Sequence, residues 1–168
     1  MGSITTLMRI CQAIAAPQVA IARTLFEEYA AGLGIDLSFQ GFAAECLGLP
    51  GPYAPPGGRL LIAFAGAEAA GCVALRALAG SECEMKRLFV RQAFRGERLG
   101  RRLAEQVIEE ARVIGYSTMK LDTLASMQTA IRLYESVGFV RCPAYYETPL
   151  RDTVFMELRL LPSAQRLS

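Results

Sequence analysis

The segment FVRQAFRGERLGRRLAEQVIEEA, residues 89–111, constrains the fold of this chain most, because an apolar strand leads through a glycine-containing turn into an amphipathic helix. Apolar residues recur every four positions along the helix, at Leu99, Leu103, Val107 and Ala111. Arginines crowd the start of the same helix, at Arg95, Arg98, Arg101 and Arg102. Since a helix N-terminus already carries roughly half a positive charge and unpaired N–H groups, this crowding predicts an anionic partner there.

The turn before this helix has the composition of a phosphate-binding loop. It follows a strand that ends at Val90, and its glycines, Gly96 and Gly100, let an anion approach the free N–H groups. The alternative is a solvated basic helix end packed beside an acidic loop. Neither Gly-Lys-Ser/Thr nor Gly-x-Gly-x-x-Gly occurs in the chain, which excludes a P-loop and a dinucleotide fingerprint.

The basic residues are concentrated rather than abundant. Five of the twelve positions from Arg91 to Arg102 are arginine, whereas the net charge of the whole chain is only +2. Local crowding in a nearly neutral protein favours a small polyanion over a nucleic-acid duplex as the ligand. A nucleic-acid patch is a third interpretation, and it predicts binding with a steep salt dependence.

Composition excludes several classes of chemistry. The 168 residues are 52% hydrophobic and 20% charged, which predicts one globular domain over residues 1–168 with loose termini at 1–7 and 162–168. Without histidine, Ser–His–Asp and Cys–His mechanisms are impossible. The five cysteines are scattered without a Cys-x-x-Cys pair, which argues against a metal site and for reduced thiols in a cytoplasmic protein. No apolar run is long enough to predict a membrane span.

Hydrophobic periodicity predicts strands that pair locally in the first half of the chain and alternate with helices in the second. The strand patterns occupy residues 8–14, 59–65, 69–78, 83–90, 117–124, 139–142 and 153–160. Helical patterns occupy the stretch from Pro17 to the glycines at 32 and 34, a short stretch within 39–49, the arginine-fronted helix, and residues 127–137. A Pro/Gly loop at 49–58 interrupts the pattern. This order predicts an α/β or α+β layer sandwich.

The segments VRQAFRGERLGRRL and, about thirty residues later, LYESVGF resemble the GNAT superfamily of acetyl-CoA-dependent N-acetyltransferases. The family's loop, Gln/Arg-x-x-Gly-x-Gly/Ala, maps onto residues 95–100. Arg98 stands where the family usually has a glycine, and Met127 where it commonly has an asparagine; a helical backbone at Arg98 would accommodate the side chain. The resemblance implies an α/β (α+β) three-layer fold with a central mixed, mostly antiparallel sheet of six to seven strands and about four flanking helices.

The resemblance also implies an enzyme that uses acetyl-CoA as co-substrate and needs no metal. The strand would bind the pantetheine arm through its backbone, and the loop would bind the pyrophosphate. An ordinary buried strand is the alternative, and it is compatible with this role because the contact is main-chain. The residues that match these family positions are Leu88, Phe89, Val90, Arg95, Gly96, Glu97, Arg98, Leu99, Gly100 and Arg101. Tyr134 of LYESVGF stands where many members have a tyrosine that protonates the departing thiolate. The alternative for Tyr134 is a core aromatic on an amphipathic helix.

Glu84 is the candidate general base. It lies eleven residues before Arg95, as does the glutamate base of the histone-modifying branch of the family. Strand alternation would place it on the same side as Leu88 and Val90. The alternative is an ion pair with Lys86 or Arg87, in which case Glu82 is the reserve candidate.

The acceptor implied by the resemblance is a primary amine of a small molecule or peptide, with no nucleic acid or membrane partner, and family analogy suggests a homodimer. The residues expected to wall the acceptor site are Asp36, Phe39, Gln40, Tyr53, Tyr145 and Tyr146. A hydrophobic rim that packs on itself would explain the same residues. An alternative from another class is a catalytically weak module that binds acyl-CoA as a sensor or to recruit a partner.

Overall fold

The computed structural model describes residues 6–161, so the termini predicted to be loose lie almost wholly outside the described residues. The strands are β1 (Met8–Gln12), β2 (Arg59–Ala65), β3 (Glu68–Ala77), β4 (Glu82–Val90), β5 (Thr118–Leu124), β6 (Val140–Arg141) and β7 (Thr153–Arg159). The helices are α1 (Ala16–Leu33), α2 (Phe42–Leu47), α3 (Leu99–Ile114) and α4 (Gln128–Ser136). Each of them falls on a predicted segment, with slightly different bounds. No helix within residues 6–161 is both long and apolar enough to cross a membrane.

The seven strands form one mixed sheet in the order β1-β2-β3-β4-β5-β7-β6. All neighbouring strands are antiparallel except β4 and β5, which are parallel. The predicted mixed, mostly antiparallel sheet with four flanking helices is therefore confirmed.

Helices cover both faces of the sheet, which gives three layers and two cores. The apolar face of α3 packs with α4 on one side, where Leu103, Val107 and Ile131 are buried. On the other side α1 and α2 bury Leu25, Phe26 and Cys46. The central strand β3 sends Val73 and Leu75 into the first core and Cys72 and Ala74 into the second, as period-2 alternation requires. Both faces are thus closed by apolar burial, which is the main force holding the layers together.

The pairing of β4 with β5 stops early, and this opens the middle of the sheet. The parallel ladder joins only Glu82–Glu84 to Thr118–Lys120. Beyond that point each strand continues, β4 to Val90 and β5 to Leu124, without pairing to the other. The two strands therefore diverge and leave a gap in the sheet at their C-terminal ends.

An irregularity in β4 changes which face its side chains occupy. The register against β3 shifts between Cys72 and Ala74, and Arg87 on β4 has φ 59°, in the left-handed region. Before this bulge Met85 packs in the core under α3, and after it Leu88 and Val90 pack there too. The extra residue at the bulge shifts the alternation of side chains by one position, so residues an even number of positions apart across the bulge lie on opposite faces of the sheet.

Candidate active site at the divergence of two strands

A cleft of 680 Å³, here called the outer cleft, lies beside the start of α3. Its walls are the C-terminal part of α1, the end of β4, the turn before α3 and the N-terminal half of α4. The predicted binding residues that line it are Leu88, Phe89, Val90, Arg95, Gly96, Arg98, Leu99, Gly100 and Arg101. Glu97 is the one predicted residue of this set that does not line the cleft.

The arginines before and within α3 do not share one role. Arg91 donates from Nε and Nη2 to the Glu28 carboxylate at 2.9 and 2.6 Å, and it does not line the cleft. Arg95 donates from Nε to the Val90 carbonyl at 3.0 Å, and Arg101 pairs with Glu105 at 2.8 Å. Arg95, Arg98 and Arg101 nevertheless all line the outer cleft, so three positively charged residues border it.

The first turn of α3 adds backbone donors to these cations. The helical ladder begins with the Arg102 N–H, which donates to the Arg98 carbonyl at 3.0 Å. The N–H groups of Leu99, Gly100 and Arg101 come before that bond and so have no partner within the helix. Together with the partial positive charge of the helix terminus, they make the outer cleft suited to a phosphate or diphosphate.

The backbone of Arg98 differs from the expectation. Arg98 is the N-cap of α3, and its φ of 59° and ψ of 19° lie in the left-handed region rather than in the ordinary helical one. That region favours glycine, because a Cβ there crowds the following carbonyl oxygen. The backbone path that the family's usual glycine would allow is therefore kept, and the arginine side chain is accommodated at a conformational cost.

A second cavity, of 90 Å³ and here called the inner cavity, fills the gap between the diverging strands β4 and β5. It adjoins the outer cleft, since five residues line both: Tyr29, Leu33, Leu88, Met127 and Ala130. A ligand lying along β4 in the outer cleft can therefore place its end in the inner cavity.

Tyr134 lines the inner cavity from α4 and not the outer cleft. Its side chain is 8% exposed, and its ring packs edge-on against Phe139 at 5.9 Å between centroids. Among residues 6–161, none forms a hydrogen bond with its hydroxyl. Burial raises the pKa of the Tyr134 phenol, and the neighbouring Tyr29 and Asp122 raise it further. A protonated phenol with an unused donor therefore lines the inner cavity, which adjoins the outer cleft.

Glu84 lies on the opposite face from the one expected. Because the bulge at Arg87 changes the parity of β4, Glu84 does not share a side with Leu88 and Val90, which was the prediction from alternation. Glu84 is 1% exposed and lines neither cavity. Arg76 Nε donates to its Oε1 at 2.8 Å. Tyr145 Oη donates to its Oε2 at 2.6 Å.

The ion pair considered as the alternative for Glu84 exists, but with another main partner. Arg76 is the close partner of Glu84, and Lys86 Nζ lies 3.9 Å from the same oxygen. Arg87 instead donates to Glu45 from Nε at 2.9 Å. The reserve candidate, Glu82, pairs with Lys120 at 3.2 Å and lines neither cavity.

Of the residues expected at the acceptor site, Gln40 alone lines the inner cavity. Tyr146 contacts the cavity wall, since its Oη donates to Oδ2 of Asp122 on β5 at 2.9 Å. Tyr145 donates to Glu84 on β4, which lines neither cavity. Tyr53 is 1% exposed and belongs to the core, where it packs edge-on against Phe26. The remaining two, Asp36 and Phe39, line neither cavity.

Three charged residues that line the inner cavity were missed as site residues: Lys86, Arg87 and Asp122. The sequence feature that could have identified them is the presence of charged residues within two strands that are otherwise apolar and buried. Burial lowers the pKa of the Lys86 ammonium, and the Glu84 carboxylate offsets part of that effect. Alternation along one strand does not show that these groups of β4 and β5 face the same gap.

A mixed sheet that opens between two parallel strands, beside a helix N-terminus lined with arginines, is an arrangement suited to a phosphate-bearing ligand. The sequence model of the GNAT acetyltransferase family matches residues 24–139. An uncharacterised N-acetyltransferase of Schizosaccharomyces pombe is 40% identical over 140 residues, covering 82% of this chain and 86% of that protein. This chain belongs to the GNAT acetyltransferase family, and it is an acyltransferase.

Solved structures agree with the fold. An acetyltransferase from Streptococcus agalactiae superposes with a TM-score of 0.75 at 24% identity, covering 92% of this chain and 98% of that one. A Bacillus subtilis acetyltransferase in complex with CoA superposes with a TM-score of 0.55 at 25% identity, covering 62% of this chain and 78% of that one.

Proposed function

We propose that this protein transfers an acetyl group from acetyl-CoA to a primary amine of a small molecule or peptide by direct attack of the amine. The observation that carries the proposal is the junction of the two cavities. An arginine-lined cleft suited to a diphosphate continues into a small cavity whose wall includes the protonated phenol of Tyr134.

The residues of the outer cleft fit coenzyme A. The diphosphate belongs at the N–H groups before the helical ladder, beside Arg95, Arg98 and Arg101. The pantetheine arm belongs along the end of β4, where Leu88 and Val90 line the cleft and no ladder to β5 is formed. The Bacillus subtilis acetyltransferase in complex with CoA supports the choice of CoA as the ligand. The bound acetyl-CoA supplies the acetyl thioester that the amine attacks.

Tyr134 acts as the general acid in this proposal. A tyrosine with an ordinary pKa near 10 is already protonated at neutral pH, and burial raises the pKa of Tyr134 further, so the phenol carries a proton that it can donate when negative charge develops on the leaving sulfur. The Tyr134 side chain is largely shielded from water, being only 8% exposed, which makes such a donation more effective than it would be in solution.

Removing a proton from the acceptor is the second requirement. A lysine-like amine near pKa 10.4 is neutral in only about one of ~2,500 molecules at pH 7, a cost of roughly 4–5 kcal/mol. Glu84 is the proposed base. Because its carboxylate is held by Arg76 and Tyr145 and does not line the inner cavity, it would take the proton through ordered water.

The test is a thiol-release assay with acetyl-CoA over a panel of amines, combined with calorimetric titration of CoA. Tyr134→Phe is expected to lower turnover by about 10²- to 10⁴-fold with coenzyme affinity nearly unchanged. Tyr116→Phe is the matched control, because the Tyr116 hydroxyl donates to the Gly57 carbonyl at 2.7 Å and lies outside both cavities. Full turnover by Tyr134→Phe would remove this phenol from the mechanism. Tight CoA binding without thiol release from any amine would favour the binding-module alternative.

A further inference from the structure

The inner cavity contains two opposite charges that attract each other without forming a direct ion pair. Lys86 on β4 and Asp122 on β5 both line it. They occupy corresponding positions, each two residues beyond the last paired residues of the parallel ladder, Glu84 and Lys120. The two side chains form no ion pair within 4.0 Å of each other, although the pKa of Lys86, which burial lowers, is raised in part by Asp122 at longer range.

Lys86 is a nearly buried cation without a close acceptor. Its side chain is 10% exposed, and its nearest carboxylate oxygen, Glu84 Oε1, is 3.9 Å away and already accepts from Arg76 at 2.8 Å. Within residues 6–161, Lys86 Nζ donates no hydrogen bond. A buried charge without hydrogen bonds is costly, so an arrangement of this kind favours binding of an anion.

Asp122 is the complementary case. Its Oδ2 accepts a hydrogen bond from Tyr146 Oη at 2.9 Å, which holds the carboxylate in place. No cation among the described residues forms an ion pair with it, so its charge is available to a ligand.

Arg87, the third charged residue of the cavity wall, is already neutralised. Its guanidinium donates to both oxygens of Glu45 at 2.9 and 3.1 Å and to Gln40 at 3.0 Å. It also lies 5.0 Å from the centre of the Phe42 ring. Its charge is paired with the Glu45 carboxylate and holds α2 to β4, whereas Lys86 has no carboxylate at hydrogen-bonding distance in the described part of the chain.

We propose that the acetyl acceptor is an amino acid, or a molecule with the same pair of groups, whose carboxylate binds Lys86 and whose amino group binds Asp122. This inference rests on the proposed function and names its substrate class. A ligand with both charges bridges the two strands and gives each group an oppositely charged partner in direct contact, which the described residues do not provide. Lys86 and Asp122 are specificity-determining residues in this assignment.

The experiment compares each amino acid with its carboxamide, which keeps the amine and side chain and lacks the negative charge. With saturating acetyl-CoA, Lys86→Met is expected to lower kcat/KM for the amino acid by about tenfold to about a hundredfold, the range for a lost charged hydrogen bond, and to leave the amide unaffected. Asp122→Asn is expected to lower both, since both acceptors carry the amine. The ratio of variant to wild type cancels the difference in amine pKa between the two acceptors.

Lys120→Met is the control, since Lys120 lies on β5 outside both cavities and pairs with Glu82 at 3.2 Å. It should keep the wild-type preference. An equal loss of kcat/KM for acid and amide in Lys86→Met, or no loss, overturns the inference.

If CoA binds but no acceptor releases thiol, the proposed function fails. The proposed roles of Lys86 and Asp122 are then tested by whether an amino acid binds to the CoA complex. Calorimetry of the amino acid against the CoA complex should then show affinity in the wild type that Lys86→Met lacks. Absence of amino-acid binding by the wild-type complex overturns the inference.

Discussion

Replacing Arg98 by glycine or by alanine separates its backbone role from its charge. Both variants lose the guanidinium, but only glycine adopts φ 59° and ψ 19° without strain. A left-handed conformation costs an L-residue about 1–2 kcal/mol, which glycine avoids. Glycine also lowers the free energy of unfolding by about 0.4–1 kcal/mol, because it increases the conformational entropy of the unfolded chain. The glycine variant should therefore be more stable than the alanine variant by about 0.5–1 kcal/mol, or about 1–4 °C in Tm for a chain of this size.

The same two variants measure what the Arg98 charge contributes to coenzyme binding. Arg98 is exposed to solvent at the edge of the outer cleft, where an ion pair with a phosphate is partly screened. Both variants should bind CoA about two- to fivefold more weakly than the wild type, and equally weakly with respect to each other. The assays are urea denaturation without ligand and calorimetric titration with CoA.

Arg102→Ala is the control for both measurements, because Arg102 is also exposed on α3 but does not line the cleft. It should leave CoA affinity unchanged. Equal stability of the Arg98→Gly and Arg98→Ala proteins would refute the left-handed backbone. Wild-type CoA affinity in both would refute the assignment of this guanidinium as a phosphate partner.

Two further perturbations test the site. Gly100→Ala places a Cβ 3.6 Å from Leu133 and 3.8 Å from Val90, which is an ordinary contact, and should keep CoA affinity within a fewfold of the wild type. Gly100→Glu places a negative charge beside the phosphates and should weaken CoA binding by about a hundredfold or more, since one such repulsion costs about 3 kcal/mol at ~5 Å. Equal affinities of the two variants, measured by calorimetry, would show that the loop is misassigned. Because the pKa of Lys86 is lowered in the folded state, the unfolded chain holds more protons between that lowered value and the ordinary 10.5. Over that window the free energy of unfolding of the wild type relative to Lys86→Met should rise with pH, and a flat or falling difference in urea denaturation would contradict the buried cation.

The order of elements could be predicted from the sequence because each helix and strand carries its own periodicity. The arginine-fronted helix is the clearest case: its apolar residues Leu103 and Val107 are buried, and the strand and turn before it lie where the pattern placed them. The anion-binding character of its first turn could also be predicted, because the glycines and the free N–H groups on which it depends lie within a few consecutive residues of the sequence.

Features that depend on pairing between distant segments could not be predicted in this way. The bulge at Arg87 is a register shift against β3, and it reverses the face that alternation assigns to Glu84 relative to Leu88. The inner cavity depends on where the β4–β5 ladder ends, so nothing in either strand alone shows that Lys86 and Asp122 face one space. Arg98 illustrates a third limit, because a left-handed arginine is contrary to ordinary residue preferences.

A crystal structure of the protein with acetyl-CoA tests the central claim most directly. The diphosphate oxygens should lie about 2.7–3.2 Å from N–H groups of residues 96–101, with the arm along Leu88 and Val90. The acetyl group should lie in the inner cavity beside Tyr134 Oη. A diphosphate bound away from the start of α3, or an acetyl group outside the gap between β4 and β5, would contradict the account.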